Sequence, residues 1–352
     1  TGGTGGHIFP AIALAEFLKK RGLNIMFITD PRGQKNEHLS KFNPTLINVI
    51  GFAGKNLVQK LKSLFLISIF FIRSLIFLKI KKADLVIGFG SYVQVPVIIA
   101  AKILKIKIVL HEANLVLGKA NRNLWHLAKI RISAFNVKNS NKPFRIVGMP
   151  VRNQIKSLHK KNYKFPRANE KINILILGGS LGALSLSKNI SKQICLLPLK
   201  IRKRIFVIHQ SKAEHIKYIN SEYEKNEIKS EVSVYFKDIH KEFNRASLVV
   251  CRAGASTMAE NLIAGLPAIY IPLASSVGNH QKYNAEMIKE NNAGWIILEK
   301  EIFQPKFFKL LLTLLNSGKI LRKISKNCKK LSTPYASENI YKLVLGELSE
   351  KF

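Results

Sequence analysis

Two glycine-rich turns constrain the fold of this chain more than any other feature. The first, at residues 1–6, reads TGGTGG and precedes a helical pattern, and the second, at 178–183, reads GGSLGA and follows an apolar run. Glycine lets the backbone turn sharply and lets backbone amides approach an anionic group. Because about half of the chain separates the two turns, they predict two similar α/β halves, with a ligand in the cleft between them.

The segments around these turns alternate between strand-like and helix-like patterns. This alternation predicts an α/β fold with a parallel sheet covered by helices in each half. The chain starts inside the first turn, so we expect that the first strand of this half is missing. The predicted strands cover the ranges 24–29, 45–50, 83–87, 107–110, 131–135, 145–147, 172–177, 205–209, 232–236, 248–251, 268–271 and 295–298.

Apolar periodicity lapses over residues 153–170, which are polar and basic and include Pro166. Such a stretch is typical of a domain boundary. We therefore predict a first domain over 1–152, a linker over 153–170 and a second domain over 171–336. The tail, 337–352, has a helical pattern, and we expect this helix to cross back to the first domain.

His7 lies where the first glycine turn meets a helix. Pro10 suits a first helical turn, and an apolar stripe runs from Ala11 to Leu18. These features predict a helix that begins just after His7, with Pro10 in its first turn. The positive end of the helix dipole disfavours an imidazolium, so we expect a neutral His7 that can accept a proton.

The chain carries a large excess of positive charge. It has 57 Lys plus Arg against 21 Asp plus Glu, which gives a formal net charge of +36. Such a charge attracts polyanions, namely nucleic acid, anionic lipid or a phosphorylated substrate, although a lysine-rich composition without functional meaning is the alternative. The three cysteines, Cys195, Cys251 and Cys328, lack histidines at ligand spacing. They indicate a reducing compartment and argue against structural zinc.

Residues 61–80, LKSLFLISIFFIRSLIFLKI, are apolar on almost every side and have lysines at both ends. The run is long enough to cross a bilayer, but charged residues interrupt it and it lies between two strands of one sheet. A helix that lies in the membrane interface fits these features better, and we assign Phe70, Phe71 and Arg73 to this contact. A buried core helix is the alternative.

Four short stretches place polar groups at strand ends or in a likely loop. They read GFGSY at 88–92, HEAN at 111–114, RAGASTMAE at 252–260 and NHQKYNA at 279–285. The first three follow predicted strands, and ligands of open α/β sheets bind beyond the carboxyl ends of the strands. These stretches are therefore candidate parts of the site.

The stretch 252–260 has the pattern of a nucleotide site. Gly254 permits the turn, and Ser256 and Thr257 can donate hydrogen bonds to a phosphate at the start of the helix. Glu260 lies one turn further along. A carboxylate in that position can accept hydrogen bonds from both hydroxyls of a ribose.

Six motifs occur in order along the chain: GGTGGH at 2–7, HEAN at 111–114, GMPVR at 148–152, GGSLGA at 178–183, CRAGASTMAE at 251–260 and NHQKYNA at 279–285. Together, and at this spacing, they resemble the MurG family of N-acetylglucosaminyltransferases over essentially the whole chain. The resemblance implies two Rossmann-like domains of the B-type glycosyltransferase fold that face each other across a cleft. It also implies an inverting transfer of N-acetylglucosamine from UDP-N-acetylglucosamine to the muramoyl C4 hydroxyl of undecaprenyl-linked lipid I, which yields lipid II for peptidoglycan synthesis.

The resemblance further implies partners and site residues. It implies an anionic membrane surface and other cell-wall enzymes as partners, no cofactor, no nucleic acid, and a peripheral location on the cytoplasmic face of the bacterial inner membrane. Tyr92 joins the membrane-contact residues as an acceptor position, and the backbone of Lys237 would meet the uracil. The positions implied to bind the donor are Thr4, Gly5, Gly6, Asn114, Arg152, Ser180, Lys237, Ser256, Thr257, Glu260 and Gln281.

Four positions depart from the family pattern. Ala113 and Leu181 stand where glutamines are usual, Ser91 replaces a glycine, and Gly278 replaces an aspartate. None of them is a residue to which we assign chemistry. The loss of two amide side chains is expected to loosen contacts with the donor.

The residues are consistent with catalysis that uses no metal. Aspartate occurs only at positions 30, 84 and 238, so no Asp-X-Asp pair can hold a metal against a sugar diphosphate. The charge on the departing UDP must then be met by helix dipoles, amides, hydroxyls and Arg152, while amides of the first turn would meet the diphosphate of the acceptor. Inversion in one displacement needs a single base. His7 is our first candidate and Glu112 the second, and the alternatives are an orienting His7 and a structural Glu112.

Three other functions remain open at this point. Another B-type glycosyltransferase that acts on a lipid, such as a diacylglycerol glycosyltransferase, would share the architecture and the membrane segment, and donor competition would separate the two. A nucleic-acid-binding protein would account for the charge, but the sequence shows no aromatic–basic module. A decayed, inactive scaffold would account for the departures and the truncated start.

Overall fold

The structure is a computed structural model. It describes residues 1–3, 5–47, 57–178 and 184–349, without the side chains of 57–65, 184–185 and 277. The chain divides into two compact units. The first unit comprises Thr1–Arg152 and Thr333–Phe352, and the second comprises Asn153–Ser332.

Helices and strands alternate along both units. The helices are α1 (Gly5–Lys19), α2 (Pro31–Gln34), α3 (Glu37–Ser40), α4 (Leu57–Ile80), α5 (Gln94–Ile103), α6 (Lys119–Leu124), α7 (Asn153–Leu158), α8 (Leu184–Cys195), α9 (Leu199–Arg202), α10 (Ala213–Lys225), α11 (Ile239–Arg245), α12 (Ala255–Ala264), α13 (His280–Glu290), α14 (Pro305–Asn316), α15 (Gly318–Leu331) and α16 (Ala336–Ser349). The strands are β1 (Ile28–Thr29), β2 (Thr45–Leu46), β3 (Leu85–Gly88), β4 (Lys107–Glu112), β5 (Ile130–Ser133), β6 (Arg145–Ile146), β7 (Ile172–Leu177), β8 (Ile205–Gln210), β9 (Lys229–Ser233), β10 (Leu248–Cys251), β11 (Ala268–Tyr270) and β12 (Trp295–Ile296).

The first unit contains two parallel sheets. Strands β3, β4, β5 and β6 form one sheet in that order, and β1 pairs with β2 in the other. Parallel neighbours need a crossover connection, and α5 provides it between β3 and β4. The predicted alternation of strands and helices into parallel sheets is therefore confirmed in this half.

Helix α1 lies at the centre of one hydrophobic core of the first unit. Ile8 and Leu14 of α1 share a buried cluster with Val344 of α16. The ring of Phe17 meets the ring of Tyr341 edge-on, with 6.1 Å between their centroids. The tail helix that we expected to cross back thus packs within the first unit.

The second unit has a single six-stranded parallel sheet with the strand order β12-β11-β10-β7-β8-β9. The chain proceeds outward from β7 to β9, returns to β10 beside β7, and then proceeds outward on the other side. The two central strands are buried along almost their whole length, as expected when helices cover both faces. The carboxyl ends of β7 and β10 form the topological switch point, where doubly wound sheets bind ligands.

Several element boundaries differ from the predictions, among them the start of β1 at Ile28 rather than at residue 24, the start of α1 and the position of β9. Helix α1 begins at Gly5 rather than just after His7, which places His7 in its first turn. The early start places Pro10 in the second turn, where it lacks the N–H that would bond to the carbonyl of Gly6. The strand predicted over 232–236 is β9, Lys229–Ser233, which is more polar because it lies at the edge of the sheet.

Residues 153–170, which we predicted to form a linker, lie within the second unit. They include α7, which packs against α11 and α12. The hydroxyl of Tyr163 donates to the carbonyl of Ser247 at 2.8 Å, and Arg204 donates to the carbonyls of Pro166 and Arg167. These contacts fix the segment to the amino-terminal edge of the second sheet.

Candidate active site

The first glycine turn is held by a buried carboxylate. Gly3 has a positive φ of 84°, and its amide donates to Oδ2 of Asp30 at 3.1 Å. Asp30 also accepts from the amide of Gly33 at 2.9 Å and from the guanidinium of Arg32 at 2.7 Å. Burial by itself raises the pKa of Asp30. The hydrogen bonds lower it by a larger amount, so the pKa lies below its usual value.

This anchor narrows one expectation about the turn. We expected its amides to meet the diphosphate of the acceptor, and the amide of Gly3 is already bonded to Asp30, which leaves the other amides of the turn for that contact. The guanidinium of Arg32, which Asp30 also holds, lies beside the turn: a Cβ on Gly3 would be 3.6 Å from its Nη2. Sequence reasoning missed both residues, and their position directly after β1 was the available signal.

His7 lies in the first turn of α1, near the positive end of the helix dipole. Its imidazole ring faces the backbone of Gly90, which has a φ of 94°. A Cβ on Gly90 would lie 2.9 Å from Cε1 of His7, so the close approach requires glycine at this position. The structure therefore brings together two sequence motifs, the first glycine turn and the stretch 88–92.

Glu112 accepts four hydrogen bonds at the end of β4, and its side chain is almost fully buried at 2% exposure. Its Oε1 accepts from the amide and the side-chain nitrogen of Asn114 at 3.0 and 3.1 Å. Its Oε2 accepts from Asn121 at 2.8 Å and from the amide of Gly118 at 3.0 Å. A carboxylate engaged on both oxygens is placed to fix the loop after β4 rather than to take a proton from a substrate.

A chain of buried amides continues from Glu112 to the loop at Gly90. The side chain of Asn121 accepts from Nε2 of Gln94 at 2.7 Å. The Oε1 of Gln94 accepts from the backbone amide of Gly90 at 2.8 Å. Gln94 and Asn121 were missed in the sequence, because nothing in their local pattern distinguishes them from ordinary helix residues.

His111 connects β4 to the motif GMPVR. Burial lowers the pKa of His111, so the ring is neutral, and its Nε2 donates to the carbonyl of Gly148 at 2.9 Å. Gly148 has a φ of 93° and lies against Thr333, where the chain re-enters the first unit. This contact fixes the segment that ends at Arg152.

The remaining predicted residues of the first unit lie around α1 and α5. Gly5 and Gly6 are the first two residues of α1, and the guanidinium of Arg152 lies 5.0 Å from the centre of the Phe9 ring. Tyr92, just before α5, is half-buried against the core. Thr4, which we assigned to donor binding, lies outside the described residues.

In the second unit, α12 begins directly beyond the switch point. Gly254 is the N-cap residue and offers no side chain to cap the first turn, in which Ser256 and Thr257 lie half-buried. Glu260 follows one turn later on the same helix and is buried. A helix start without a capping side chain, next to two hydroxyl groups, is suited to bind a phosphate.

Buried and partly buried polar contacts position the loops around α12. Arg252 donates to both carboxylate oxygens of Glu299, at 3.0 and 3.2 Å, which ties the end of β10 to the segment after β12. Asn284 of α13 donates to the carbonyl of Ala253 at 3.1 Å. The Oε1 of Gln281 accepts from an amide in the loop after β11 at 3.0 Å. Sequence reasoning missed Glu299, which carries no local signal.

Lys237 and Ser180 are the remaining residues that we predicted to bind the donor. Lys237 is exposed and directly precedes Asp238, the N-cap residue of α11, which pairs with Lys241 at 2.8 Å. Ser180 lies in residues 179–183 of the second glycine turn, which are outside the described residues. Among the residues that are described, no group of three or more His, Cys, Asp and Glu side chains could hold a metal ion.

Helix α4 buries one face and exposes another. Phe70 and Leu78 are buried at 7% and 3% exposure, whereas Ile72, Ile76 and Ile80 are 55%, 54% and 70% exposed. The exposed isoleucines are four residues apart and therefore line one side of the helix. No helix in the described part of the chain is long and apolar enough to cross a bilayer.

The membrane assignment of individual residues changes accordingly. The expectation that Phe70 contacts lipid is wrong, because its ring packs in the core of the first unit. Phe71 is only partly buried against the same core, and Arg73 is exposed. A helix that is apolar on all sides does not reveal in its sequence which side the core will cover.

Comparisons with known proteins cover the whole chain. The model of the glycosyltransferase family 28 N-terminal domain matches residues 1–131, and that of the C-terminal domain matches residues 173–340. An enzyme of Wolbachia pipientis is 36% identical, covering 99% of this chain and 98% of that relative. It is called UDP-N-acetylglucosamine–N-acetylmuramyl-(pentapeptide) pyrophosphoryl-undecaprenol N-acetylglucosamine transferase. The chain belongs to glycosyltransferase family 28.

Further relatives agree with this assignment. The enzyme with the same name from Francisella tularensis is 34% identical, covering 99% of this chain and 97% of the relative. The crystal structure of MurG from Acinetobacter baumannii matches with a TM-score of 0.78 and 27% identity, covering 98% of each chain. The predicted family and the B-type glycosyltransferase fold with two Rossmann-like domains are thereby confirmed.

Proposed function

We propose that this family 28 glycosyltransferase transfers N-acetylglucosamine from UDP-N-acetylglucosamine to the muramoyl C4 hydroxyl of lipid I. The observation that carries the proposal is the 36% identity to the Wolbachia pipientis enzyme that is named as this N-acetylglucosamine transferase, over 99% of this chain. The departures Ala113 and Ser91 lie next to Asn114 and Gly90, whose backbone amides are held by hydrogen bonds to Glu112 and Gln94, which argues against a decayed scaffold.

The donor half of the mechanism uses the second unit. The start of α12, with Ser256 and Thr257, would receive the diphosphate, and its dipole would stabilise the charge that develops on UDP as the glycosidic bond breaks. Glu260, one turn along, would accept hydrogen bonds from the ribose hydroxyls. The partly buried Arg252–Glu299 pair holds the loop that presents these groups.

The acceptor half uses the first unit. The C4 hydroxyl oxygen would attack C1 of N-acetylglucosamine on the face opposite UDP, which inverts the anomeric centre. The imidazole of His7 would accept the hydroxyl proton as the new bond forms. Glu112 has a different role in this proposal, since both of its oxygens hold the loop after β4.

A coupled assay tests the proposal directly. The full chain is incubated with UDP-N-acetylglucosamine and a short-chain lipid I analogue, and both UDP release and the disaccharide product are measured. Replacing Glu260 with alanine is expected to raise KM for the donor by about 10²-fold, because each lost hydrogen bond to a charged group is worth about 1.5–3 kcal/mol.

The matched control is Glu224→Ala, which removes an exposed carboxylate of α10. This variant should retain the KM of the parent chain. The absence of product from the parent chain would refute the proposed function, and equal activity with UDP-glucose would favour a different lipid glycosyltransferase.

We also propose that the chain associates peripherally with the cytoplasmic face of an anionic membrane, where a lipid-linked acceptor would be located. The exposed stripe Ile72, Ile76 and Ile80 of α4 supports this, together with Arg73 and Lys79 beside it. Apolar side chains next to cations are typical of helices that lie in the membrane interface.

Flotation with liposomes tests the stripe. The double variant Ile72→Glu, Ile76→Glu is expected to lose most of its flotation with vesicles that contain phosphatidylglycerol, since two carboxylates would have to enter the interface. Leu196→Glu, Leu199→Glu changes two exposed leucines of the second unit and serves as the control. Equal flotation of both double variants would contradict the membrane contact through α4.

A further inference from the structure

Helix α15 of the second unit exposes charge of a single sign. Lys319, Arg322, Lys323, Lys326 and Lys330 are all exposed. Their spacing of three and four residues places them on one side of the helix. We refer to these five residues as the α15 surface.

The opposite side of α15 is fixed in the core. Leu321, Ile324 and Cys328 are buried, and the helix packs against α12. The thiol of Cys328 donates to the carbonyl of Ala293 at 3.1 Å. Because the apolar side is already covered, the exposed side of α15 presents mainly charged side chains, with Ile320 as an exposed apolar one.

The charge on this surface is not balanced locally. Residues 302–337 contain eight lysines and arginines and no aspartate or glutamate. Within the described part of the chain, none of the five cations forms an ion pair with a carboxylate. Helix α10 differs, because Glu214, Glu222 and Glu224 accompany its lysines.

A neighbouring segment extends the positive surface. A Cβ on Gly318, at the start of α15, would lie 2.7 Å from the ring of Phe165. At the other end, the ammonium of Lys329 donates to the carbonyl of Lys161. Lys161 and Lys164 are exposed along this segment. Lys161 and Lys164 therefore add positive charge beside the α15 surface.

We propose that the α15 surface binds the phosphate headgroups of an anionic lipid bilayer, as an electrostatic contact separate from the apolar stripe of α4. Four to eight cations on one helix face are sufficient for such binding. Single-stranded nucleic acid is a poorer fit, because α15 contains no aromatic residue on which a base could stack. The choice of a bilayer as the occupant rests on the proposed function, in which the acceptor is anchored in a membrane.

The number of cations and the salt concentration determine how strongly the α15 surface binds an anionic bilayer. Each cation held near an anionic leaflet strengthens binding by about fivefold. The attraction falls off within the Debye length, which shortens from about 10 Å at 0.1 M salt to about 3 Å at 1 M. Binding through the α15 surface is therefore sensitive to salt, in contrast to burial of isoleucines.

The test uses the full chain and a quadruple variant, Lys319→Gln, Lys323→Gln, Lys326→Gln, Lys330→Gln. The control, Lys212→Gln, Lys217→Gln, Lys225→Gln, Lys229→Gln, removes the same charge from exposed positions on and beside α10. Flotation is measured with vesicles of phosphatidylcholine, with and without phosphatidylglycerol, at about 0.1 M and 1 M salt. Circular dichroism and the Tm verify that each variant is folded.

We expect the α15 variant to bind phosphatidylglycerol vesicles at least about 30-fold more weakly than the parent chain at the lower salt concentration. The control variant should lose much less, and the difference should vanish at high salt. Equal binding of the two quadruple variants would overturn the proposal. So would an α15 variant that loses affinity for an oligonucleotide but floats like the control.

Failure of the membrane proposal for the α15 surface can be distinguished from failure of the proposed transferase function. Transfer to a short-chain acceptor in detergent solution measures catalysis without vesicles. Normal transfer together with unchanged flotation of the α15 variant would overturn only the surface. An inactive chain whose flotation depends on the α15 surface would refute the transferase and support the surface.

Discussion

Replacing His7 with alanine is expected to lower kcat by about 10²- to 10⁴-fold, the usual contribution of a general base. UDP affinity should stay nearly unchanged, because the nucleotide is proposed to bind the second unit and His7 belongs to the first. Steady-state kinetics with a lipid I analogue would give kcat, and titration calorimetry would give the Kd for UDP.

His126→Ala provides a matched control, since it removes an exposed histidine from the same unit. This variant should retain the kcat of the parent chain. The effect of His7→Gln distinguishes the two roles considered for His7: a glutamine can orient a hydroxyl but cannot accept its proton. Recovery of most of the activity in His7→Gln would mean that His7 orients the acceptor.

Replacing Glu112 with glutamine is expected to destabilise the first unit by about 3 kcal/mol, because one carboxylate oxygen becomes an amide that faces other donors. The groups left without an acceptor would be the amide of Gly118 and the side chain of Asn121, or those of Asn114. For a unit of this size, the Tm should fall by roughly 6 to 12 °C. Differential scanning calorimetry measures the change.

The same variant separates a structural role of Glu112 from a catalytic one. If Glu112 only positions the loop after β4, its replacement should lower kcat because the loop loses its hydrogen bonds. Asn121→Leu removes one of the same hydrogen bonds and should therefore lower both the Tm and kcat in the same way. Glu37→Gln, at an exposed position in α3, is the control for stability. If kcat collapsed in Glu112→Gln at an unchanged Tm, Glu112 would be the base instead.

Much of the fold followed from local patterns. Glycine turns, apolar strands and amphipathic helices predicted parallel sheets in both halves, and the strands Ile172–Leu177 and Leu248–Cys251 were predicted to the residue. Buried strands are predictable because both of their faces need apolar residues. The edge strand β9 and the start of α1 were misplaced, because their boundaries depend on neighbours that the local sequence does not encode.

Part of the candidate site could be predicted from local sequence, and part of it could not. The placement of Ser256, Thr257 and Glu260 around the start of α12 could be read from the sequence, since a strand, a glycine and a helix follow directly along the chain. The chain of amides from Glu112 through Asn121 and Gln94 to Gly90 could not. Its hydrogen bonds join residues that lie apart in the sequence.

The sequence by itself determined the two glycine turns, the alternation into parallel sheets and the excess of positive charge. These properties depend on residue type and spacing over short distances. Only the tertiary structure decided that Glu112 and Asp30 accept hydrogen bonds from the neighbouring loops, that Phe70 is buried while Ile72 is exposed, and that α15 turns its cations outward. The reason is that the side of a helix or the oxygen of a carboxylate acquires its role from whatever packs against it, and these partners come from distant parts of the chain.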